Sequence, residues 1–198
     1  MKKDIMICGV GGQGTVLASK IIAASAMDEG YTAHSAETIG MAQRGGPVTS
    51  HVRIGEDAYS PLIPIGGVDL LIAFEPSEAV RNLKYLKKDG FVIVNSVPVK
   101  PTSLVGGADY DGKEEISFLQ SKCRTLVVDS EQLCAPFGSS KFFNVAVLGA
   151  ALGTGELGLK EETVRKTIVN IVPERFQEKN LAALTAGIKI GENSHANQ

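Results

Sequence analysis

The sequence predicts an α/β fold: a Rossmann-like, doubly wound, mostly parallel sheet with helices on both faces and an inserted β-hairpin. First, a short apolar strand at residues 5–8 runs directly into a glycine-rich turn and a helical stretch. Second, nearly continuous apolar runs at residues 69–74, 91–94 and 125–129 are typical of strands covered on both faces. Third, stretches with helical periodicity separate these runs, as in sheets whose parallel strands are joined by helices.

The glycine-rich turn, GVGGQG at residues 9–14, has the spacing G-x-G-x-x-G and precedes a helix predicted over residues 15–29. In this pattern Gly9 makes the tight turn, Gly11 leaves its face bare for a pyrophosphate, and Gly14 lets the helix pack on the strand. Backbone N–H groups at a helix start favour an anion. A turn that serves packing alone is the alternative. The candidate binding residues of this turn are Gly9, Gly11, Gly12, Gln13 and Gly14.

A second glycine-rich segment follows the strand predicted at residues 31–36. Glu37 is the only acidic residue placed to hold a ribose, as in a dinucleotide-binding domain. Pro47 excludes a regular helix in the irregular segment after it. Within that segment Arg44, Gly45 and Gly46 combine a planar cation with a permissive backbone. We expect these three residues to form a ligand- or partner-facing loop near the first glycine loop; the alternative is a turn with a surface arginine.

The alternating residues 48–54 predict a half-buried strand, and we expect residues 58–63 to pair back on it as a hairpin. His51 and Arg53 share one face of this strand, which is either solvated, part of an interface, or able to bind an anion. Further periodic stretches predict helices over residues 77–88, 114–121, 144–152, 161–172 and 181–190. In the apolar run NVAVLGAAL at residues 144–152, Gly149 lies where a neighbouring helix can approach closely.

Three polar residues follow apolar strands at the edge where open parallel sheets collect ligands: Glu75, Glu78 and Asn95. They are candidate site residues, with helix capping and loop hydrogen bonding as the alternative. Cys8, just before the glycine loop, is expected to be a small buried residue rather than a nucleophile.

Composition restricts the function classes. The net charge of −2 gives no case for binding nucleic acid or an anionic membrane, and no run of 18 apolar residues occurs. The three cysteines, Cys8, Cys123 and Cys134, form no C-x-x-C pair, so the sequence predicts neither a metal site nor an iron–sulfur cluster. We expect a cytoplasmic chain with a single domain over residues 1–190 and a mobile tail over residues 191–198.

Four segments together resemble the gamma-type subunit of the 2-oxoacid:ferredoxin oxidoreductases. They are GVGGQG at residues 9–14, ETIGMAQRGGPVTSHVRIG at 37–55, FEPSEAVR at 74–81, and Phe143-Asn144 at the entry to an apolar helix. Within that family, the length and the FEPSEAVR segment are most similar to the small (beta) subunit of the indolepyruvate enzymes.

The resemblance implies oxidative decarboxylation of a 2-oxoacid, with coenzyme A and oxidised ferredoxin as co-substrates. Thiamine diphosphate, magnesium and iron–sulfur clusters are the cofactors it implies, and the sequence has neither the GDG…N pattern nor the cysteine runs that hold them. We therefore expect an accessory subunit that docks on a larger thiamine- and cluster-bearing chain and shares coenzyme A as a ligand, and that is either a monomer or a homodimer when isolated. The competing class is a self-sufficient NAD- or flavin-dependent oxidoreductase that uses the GVGGQG loop.

Overall fold

The computed structural model describes residues 1–39, 45–56, 58–99 and 110–195, and contains a six-stranded sheet flanked by helices. The strands are β1 Lys3–Val10, β2 Ala33–Ile39, β3 Pro47–Ile54, β4 Val68–Ala73, β5 Leu86–Asn95 and β6 Arg124–Val128. The helices are α1 Thr15–Asp28, α2 Pro76–Asn82, α3 Lys113–Lys122, α4 Ser130–Cys134, α5 Phe143–Gly153, α6 Glu161–Ile171 and α7 Glu174–His195. No helix in these ranges is long and apolar enough to cross a bilayer.

The sheet has the strand order β2-β3-β1-β4-β5-β6. Strands β1, β4, β5 and β6 run parallel, whereas β3 lies antiparallel between β1 and β2. This arrangement confirms the predicted α/β class and its mostly parallel sheet. The inserted hairpin is formed by β2 and β3, so β3 separates β2 from β1.

The prediction that residues 58–63 form the second hairpin strand is wrong, because this segment crosses the face of β3 instead of extending its edge. We call residues 58–65 the covering loop. The backbone N–H of Ile63 donates to His51 Nδ1 at 3.1 Å, and Arg53 Nη1 donates to the carbonyl oxygen of Ser60 at 3.0 Å. Pro61 and Pro64 lack the N–H group that a paired strand would need.

Each face of the sheet buries its own apolar core. Ile5 and Ile7 of β1 pack with residues of α1, α5, α6 and α7 on one face. Met6 and Cys8 point to the other face, where Ala79 of α2, Leu119 of α3 and Ile63 of the covering loop are buried. Burial, followed by the nearby Glu78 and Glu75 carboxyls, raises the pKa of the Cys8 thiol well above its ordinary value. Cys8 is therefore a buried thiol, as predicted.

Helices α5 and α7 pack backbone against backbone. A methyl group on Gly149 or Gly187 would overlap a carbonyl oxygen of the facing helix, that of Leu184 or Ala146 respectively. The predicted role of Gly149 is thus confirmed. The same contact continues at Gly191, which is why α7 runs beyond the predicted residue 190 as far as His195. Residues 191–195 of the predicted tail thus belong to α7, and residues 196–198 lie outside the described part.

The prediction of one helix over residues 77–88 is also wrong. Helix α2 ends at Asn82, a short 3₁₀ turn covers Leu83–Tyr85, and β5 begins at Leu86. Leu86 is in register with Val68 of β4, and Lys87 pairs with Asp69. The sequence of residues 86–88 resembles the polar end of a helix, but strand pairing with β4 and the ion pair to Asp69 place these residues in β5.

Candidate functional site

The glycine loop joins β1 to α1, and two of its pattern glycines, Gly9 and Gly14, do not have the roles predicted for them. Gly9 lies inside β1, where Gln13 and Phe74 leave no room for a side chain. The turn is made further on, where Gly12 has φ 102° and Gly14 has φ 86°. Gly14 packs on the side chain of Asn144 in α5 rather than on the strand. Of Gly9, Gly12 and Gly14, only Gly12 faces open space.

Gly45 and Gly46 lie directly beside the glycine loop, as the sequence predicted. The N–H of Gly11 donates to the carbonyl oxygen of Gly46 at 2.9 Å, and the N–H of Gly45 donates to that of Gly11 at 3.5 Å. The Gly11 N–H is therefore occupied by the second loop, and the approach of a pyrophosphate to the bare face of Gly11 stays a prediction. Arg44 lies outside the described residues, and its role in binding stays a prediction.

The Gln13 side chain closes the glycine loop from inside. Its Oε1 accepts from the N–H of Val10 at 2.7 Å, and its Nε2 donates to the carbonyl oxygen of Phe74 at 2.9 Å. Asn95 Nδ2 donates to the same carbonyl at 3.1 Å, while Asn95 Oδ1 accepts from the N–H of Ser130 at 3.1 Å. These two amides satisfy backbone groups at the ends of β1, β4, β5 and β6, so their first role is structural.

A cleft of about 250 Å³ opens at this edge of the sheet, where ligands collect in open α/β folds. It is the candidate site. The residues that line it are Gly12, Gln13, Phe74, Asn95, Val97, Val99, Ser130, Glu131, Ser140, Lys141 and Phe143. Lys141 supplies the cation of this lining, and Ser130 and Ser140 supply hydroxyl groups that can hydrogen-bond an anion. Sequence reasoning missed Lys141 because residues 138–141 carry only the pattern of an ordinary polar loop.

Glu75 caps a helix and Asn95 hydrogen-bonds loop backbone, which are the structural roles given above as the alternative to ligand binding. The Glu75 side chain caps α2 by accepting from the N–H of Glu78 at 3.0 Å, and Tyr110 donates to its other oxygen. Glu78 is buried beside them, and burial raises the pKa of its carboxyl above the ordinary value, against the smaller lowering by Arg81. Burial and the hydrogen bond to Glu75 raise the pKa of Tyr110 as well.

Three other sequence candidates are absent from the cleft lining. Glu37, on the outer strand β2, accepts a hydrogen bond from Ser19 Oγ at 3.3 Å. Since β3 lies between β2 and β1, Glu37 is displaced by one strand spacing, about 5 Å, from the place of a ribose-binding carboxylate. His51 is buried and holds the covering loop, and Arg53 Nε donates to Asp4 Oδ1 at 2.8 Å. The strand face that carries His51 and Arg53 is thus neither solvated nor an anion site.

Among the described residues, the donor set does not fit an iron–sulfur cluster or a thiamine-linked metal. Across the described ranges, no group of three or more His, Cys, Asp or Glu residues is placed to hold a metal ion. Cys8 and Cys134 are buried in the cores of opposite faces, and desolvation raises the pKa of Cys134 to about 11. A thiol held in its neutral form is a poor cluster ligand.

The family model described as pyruvate ferredoxin/flavodoxin oxidoreductase matches residues 4–190. The chain belongs to this family. Indolepyruvate oxidoreductase subunit IorB of Archaeoglobus fulgidus is 40% identical over 190 residues, which cover 94% of each chain. The resemblance seen in the GVGGQG and AQRGG…SHVR segments is therefore confirmed.

Solved structures show the same fold in two settings. The gamma subunit of a keto/oxoacid ferredoxin oxidoreductase from Geobacter sulfurreducens superposes with a TM-score of 0.72 at 24% identity, covering 96% of this chain and 99% of that one. The 2-oxoglutarate:ferredoxin oxidoreductase of Magnetococcus marinus gives a TM-score of 0.67 at 18% identity and covers 98% of this chain but 30% of that one. The fold thus occurs both as a separate subunit and as part of a longer chain.

Proposed function

We propose that this chain is the accessory subunit of a thiamine-diphosphate- and iron–sulfur-dependent 2-oxoacid:ferredoxin oxidoreductase that acts on indolepyruvate or a related 2-oxoacid. The observation that carries the proposal is the family match over residues 4–190, together with relatives of the same length that are named as subunits. The partner is a larger chain that holds thiamine diphosphate, magnesium and the clusters and passes electrons to ferredoxin. This chain completes the assembly.

The second part of the proposal is that the cleft faces coenzyme A. The Magnetococcus marinus enzyme was solved with coenzyme A bound, and 30% of that chain has this fold. The cleft offers Lys141 and two serine hydroxyls at the ligand-collecting edge, where they can bind a long anion, and Glu131 is its acidic lining residue. Arg44, next to Gly45 and Gly46, would add a planar donor. In this role the chain binds and orients the acceptor thiol compound, while the bond-breaking steps belong to the partner's cofactors.

The competing NAD or flavin function is weakened by the geometry of the glycine loop. The Gly11 donor is engaged by Gly46, the Gln13 amide closes the loop from inside, and Glu37 is displaced by β3. A dinucleotide would meet neither a free pyrophosphate cradle nor a ribose-binding carboxylate. Titration of the purified chain with NAD, FAD and coenzyme A distinguishes the classes, and tight nicotinamide binding would overturn the proposal.

Kinetics of the assembled enzyme test the coenzyme A role. Lys141→Gln and Arg44→Ala should each raise the KM for coenzyme A about tenfold, because each removes one charge-assisted contact. Thiamine-dependent decarboxylation, measured as ¹⁴CO₂ release without coenzyme A, should stay nearly unchanged. Lys122→Gln in α3, on the opposite face of the sheet, is the control. If the variants weaken subunit association and leave the KM unchanged, these residues belong to the interface instead.

A further inference from the structure

A groove of about 500 Å³ lies next to the cleft, between the loop before α5 and the start of α7. Three phenylalanines contribute to its apolar lining, Phe137, Phe142 and Phe176, with aliphatic residues between them. Its volume lies within the range of small-molecule sites, which are concave and mostly apolar with a few placed polar groups. Lys141 lines both cavities, so the groove and the cleft adjoin at this residue.

The charged residues that line the groove are all cations. Lys141, Arg175 and Lys179 line it, and none of the described lining residues is acidic. Within the described ranges, no carboxylate forms an ion pair with any of these three cations. The chain as a whole carries a net charge of −2, so this is a local excess rather than a general basic surface.

The cations lie over the aromatic rings. The Arg175 guanidinium carbon is 4.7 Å from the centre of the Phe176 ring, and Lys179 Nζ is 5.9 Å from that of Phe142. Phe176 is 40% exposed, so its ring is available to a ligand. A flat apolar group can stack on such rings, while a multiply charged anion meets the adjacent cations. A simple fatty acid has one charge and would leave most of this cationic lining unmatched.

We propose that the groove is a nucleotide-binding site, which takes an aromatic base on the phenylalanine rings and phosphates at Lys141, Arg175 and Lys179. The site is separate from the GVGGQG loop, which the sequence alone had suggested for this chemistry. Because the groove adjoins the cleft, a nucleotide with a long tail would pass its tail over Lys141 into the cleft. The identification of that ligand with coenzyme A rests on the proposed function, whereas the nucleotide site does not.

Calorimetric titration of the purified full chain with ADP, adenosine 3′,5′-bisphosphate, adenosine and pantetheine tests the site. Both phosphorylated nucleotides should bind saturably, adenosine at least about tenfold more weakly, and pantetheine very weakly. Arg175→Gln, Lys179→Gln and Phe176→Ala should each weaken nucleotide binding about tenfold, the effect of losing one charged or stacking contact. Raising the salt concentration should weaken binding further.

The opposite face of the sheet provides a matched control. In α3, Lys122 Nζ lies 5.7 Å from the centre of the Phe118 ring, which is 43% exposed, so this pair has the Arg175–Phe176 arrangement away from the proposed groove. Lys122→Gln and Phe118→Ala should leave nucleotide binding unchanged. Equal losses in both sets, or no saturable binding by the unmodified chain, would overturn the proposal.

A subunit-association assay separates this inference from the proposed function. If Arg175→Gln and Phe176→Ala abolish binding of the larger subunit while the unmodified chain does not bind nucleotides, the groove is a protein interface and the nucleotide site is refuted. If the chain binds nucleotides but never assembles with a thiamine-bearing chain, the proposed function fails and the nucleotide site stands. Preference for adenosine 3′,5′-bisphosphate over ADP would identify the nucleotide end of coenzyme A as the ligand class.

Discussion

The two faces of the sheet are covered by different means. On one face, α1, α5, α6 and α7 bury a large apolar core, and α5 meets α7 through glycines with no side chain between them. On the other face, the covering loop replaces a helix over β3 and is held by hydrogen bonds from Arg53 and to His51. The helical face depends on shape, whereas the loop face depends on charge and protonation.

The difference extends to what each face presents outward. The covering loop exposes apolar side chains, with Tyr59 at 91%, Leu62 at 55% and Ile65 at 71% exposed. The helical face carries the groove with its three cations, and α7 forms part of the groove wall. Changes in packing volume should therefore act on the nucleotide site, while changes in charge or pH on the loop face should leave it intact.

The largest effect is expected from Gly187→Ala on the helical face. The new methyl group would overlap the carbonyl oxygen of Ala146, so α5 and α7 must separate along their contact. The gain of about 1 kcal/mol in helix propensity is smaller than this overpacking cost, and we expect a net loss of about 3 kcal/mol or more. Urea unfolding measures the loss, with the exposed Lys189→Ala in the same helix as control. A loss below about 1 kcal/mol would contradict the shape dependence of this face.

An intermediate effect is expected from Arg53→Met on the loop face. Arg53 pairs with Asp4, and the two side chains are only 16% and 9% exposed, so the change leaves a nearly buried carboxylate unpaired. The expected loss is about 2 kcal/mol, between the values for exposed and fully buried pairs. Lys113→Met, which breaks the exposed pair with Asp111, should leave the stability nearly unchanged. Nucleotide binding by Arg53→Met should match that of the unmodified chain; a tenfold loss would show that the faces are coupled.

Local patterns in the sequence were enough to predict most of the fold. The apolar runs, their helical spacers and the glycine loop fixed the α/β class, since each signal spans only a few neighbouring residues. The close approach at Gly149 was also predictable, and the spacing of Gly187 and Gly191 by four residues carries the same signal on the facing helix. By contrast, Lys87 and Lys88 look like a helix end, and only their partner strand makes them part of β5.

The candidate site was harder to predict because its residues are distant in sequence. Gly45 and Gly46 could be placed near the glycine loop, but nothing local shows that their hydrogen bonds occupy the Gly11 donor. Lys141 and Arg175 meet at one groove only because the loop before α5 packs against the start of α7. The insertion of β3 beside β1, which displaces Glu37, is likewise a property of strand order and not of any single segment.

The smallest effect is expected from protonation of His51, which should change the stability of the loop face only. Burial, and secondarily Arg53, lowers the pKa of His51 below its ordinary value of 6.5, and its neutral Nδ1 accepts from Ile63. The unfolded chain therefore binds a proton more readily than the folded chain. Stability from this group is complete above pH 6.5 and falls as the pH drops toward the folded pKa.

One proton limits the slope to about 1.4 kcal/mol per pH unit. His51→Gln keeps a hydrogen-bond acceptor that does not titrate in this range, so the stability difference between the two proteins isolates the His51 contribution. Urea unfolding from about pH 8 to about pH 5 should show this difference shrinking as the pH falls. A constant difference would mean that the folded and unfolded chains bind the His51 proton equally well, so that the covering loop adapts to its charge. Adding Gly187→Ala to the unmodified protein and to His51→Gln should lower both curves of stability against pH equally, because His51 does not contact the helical face.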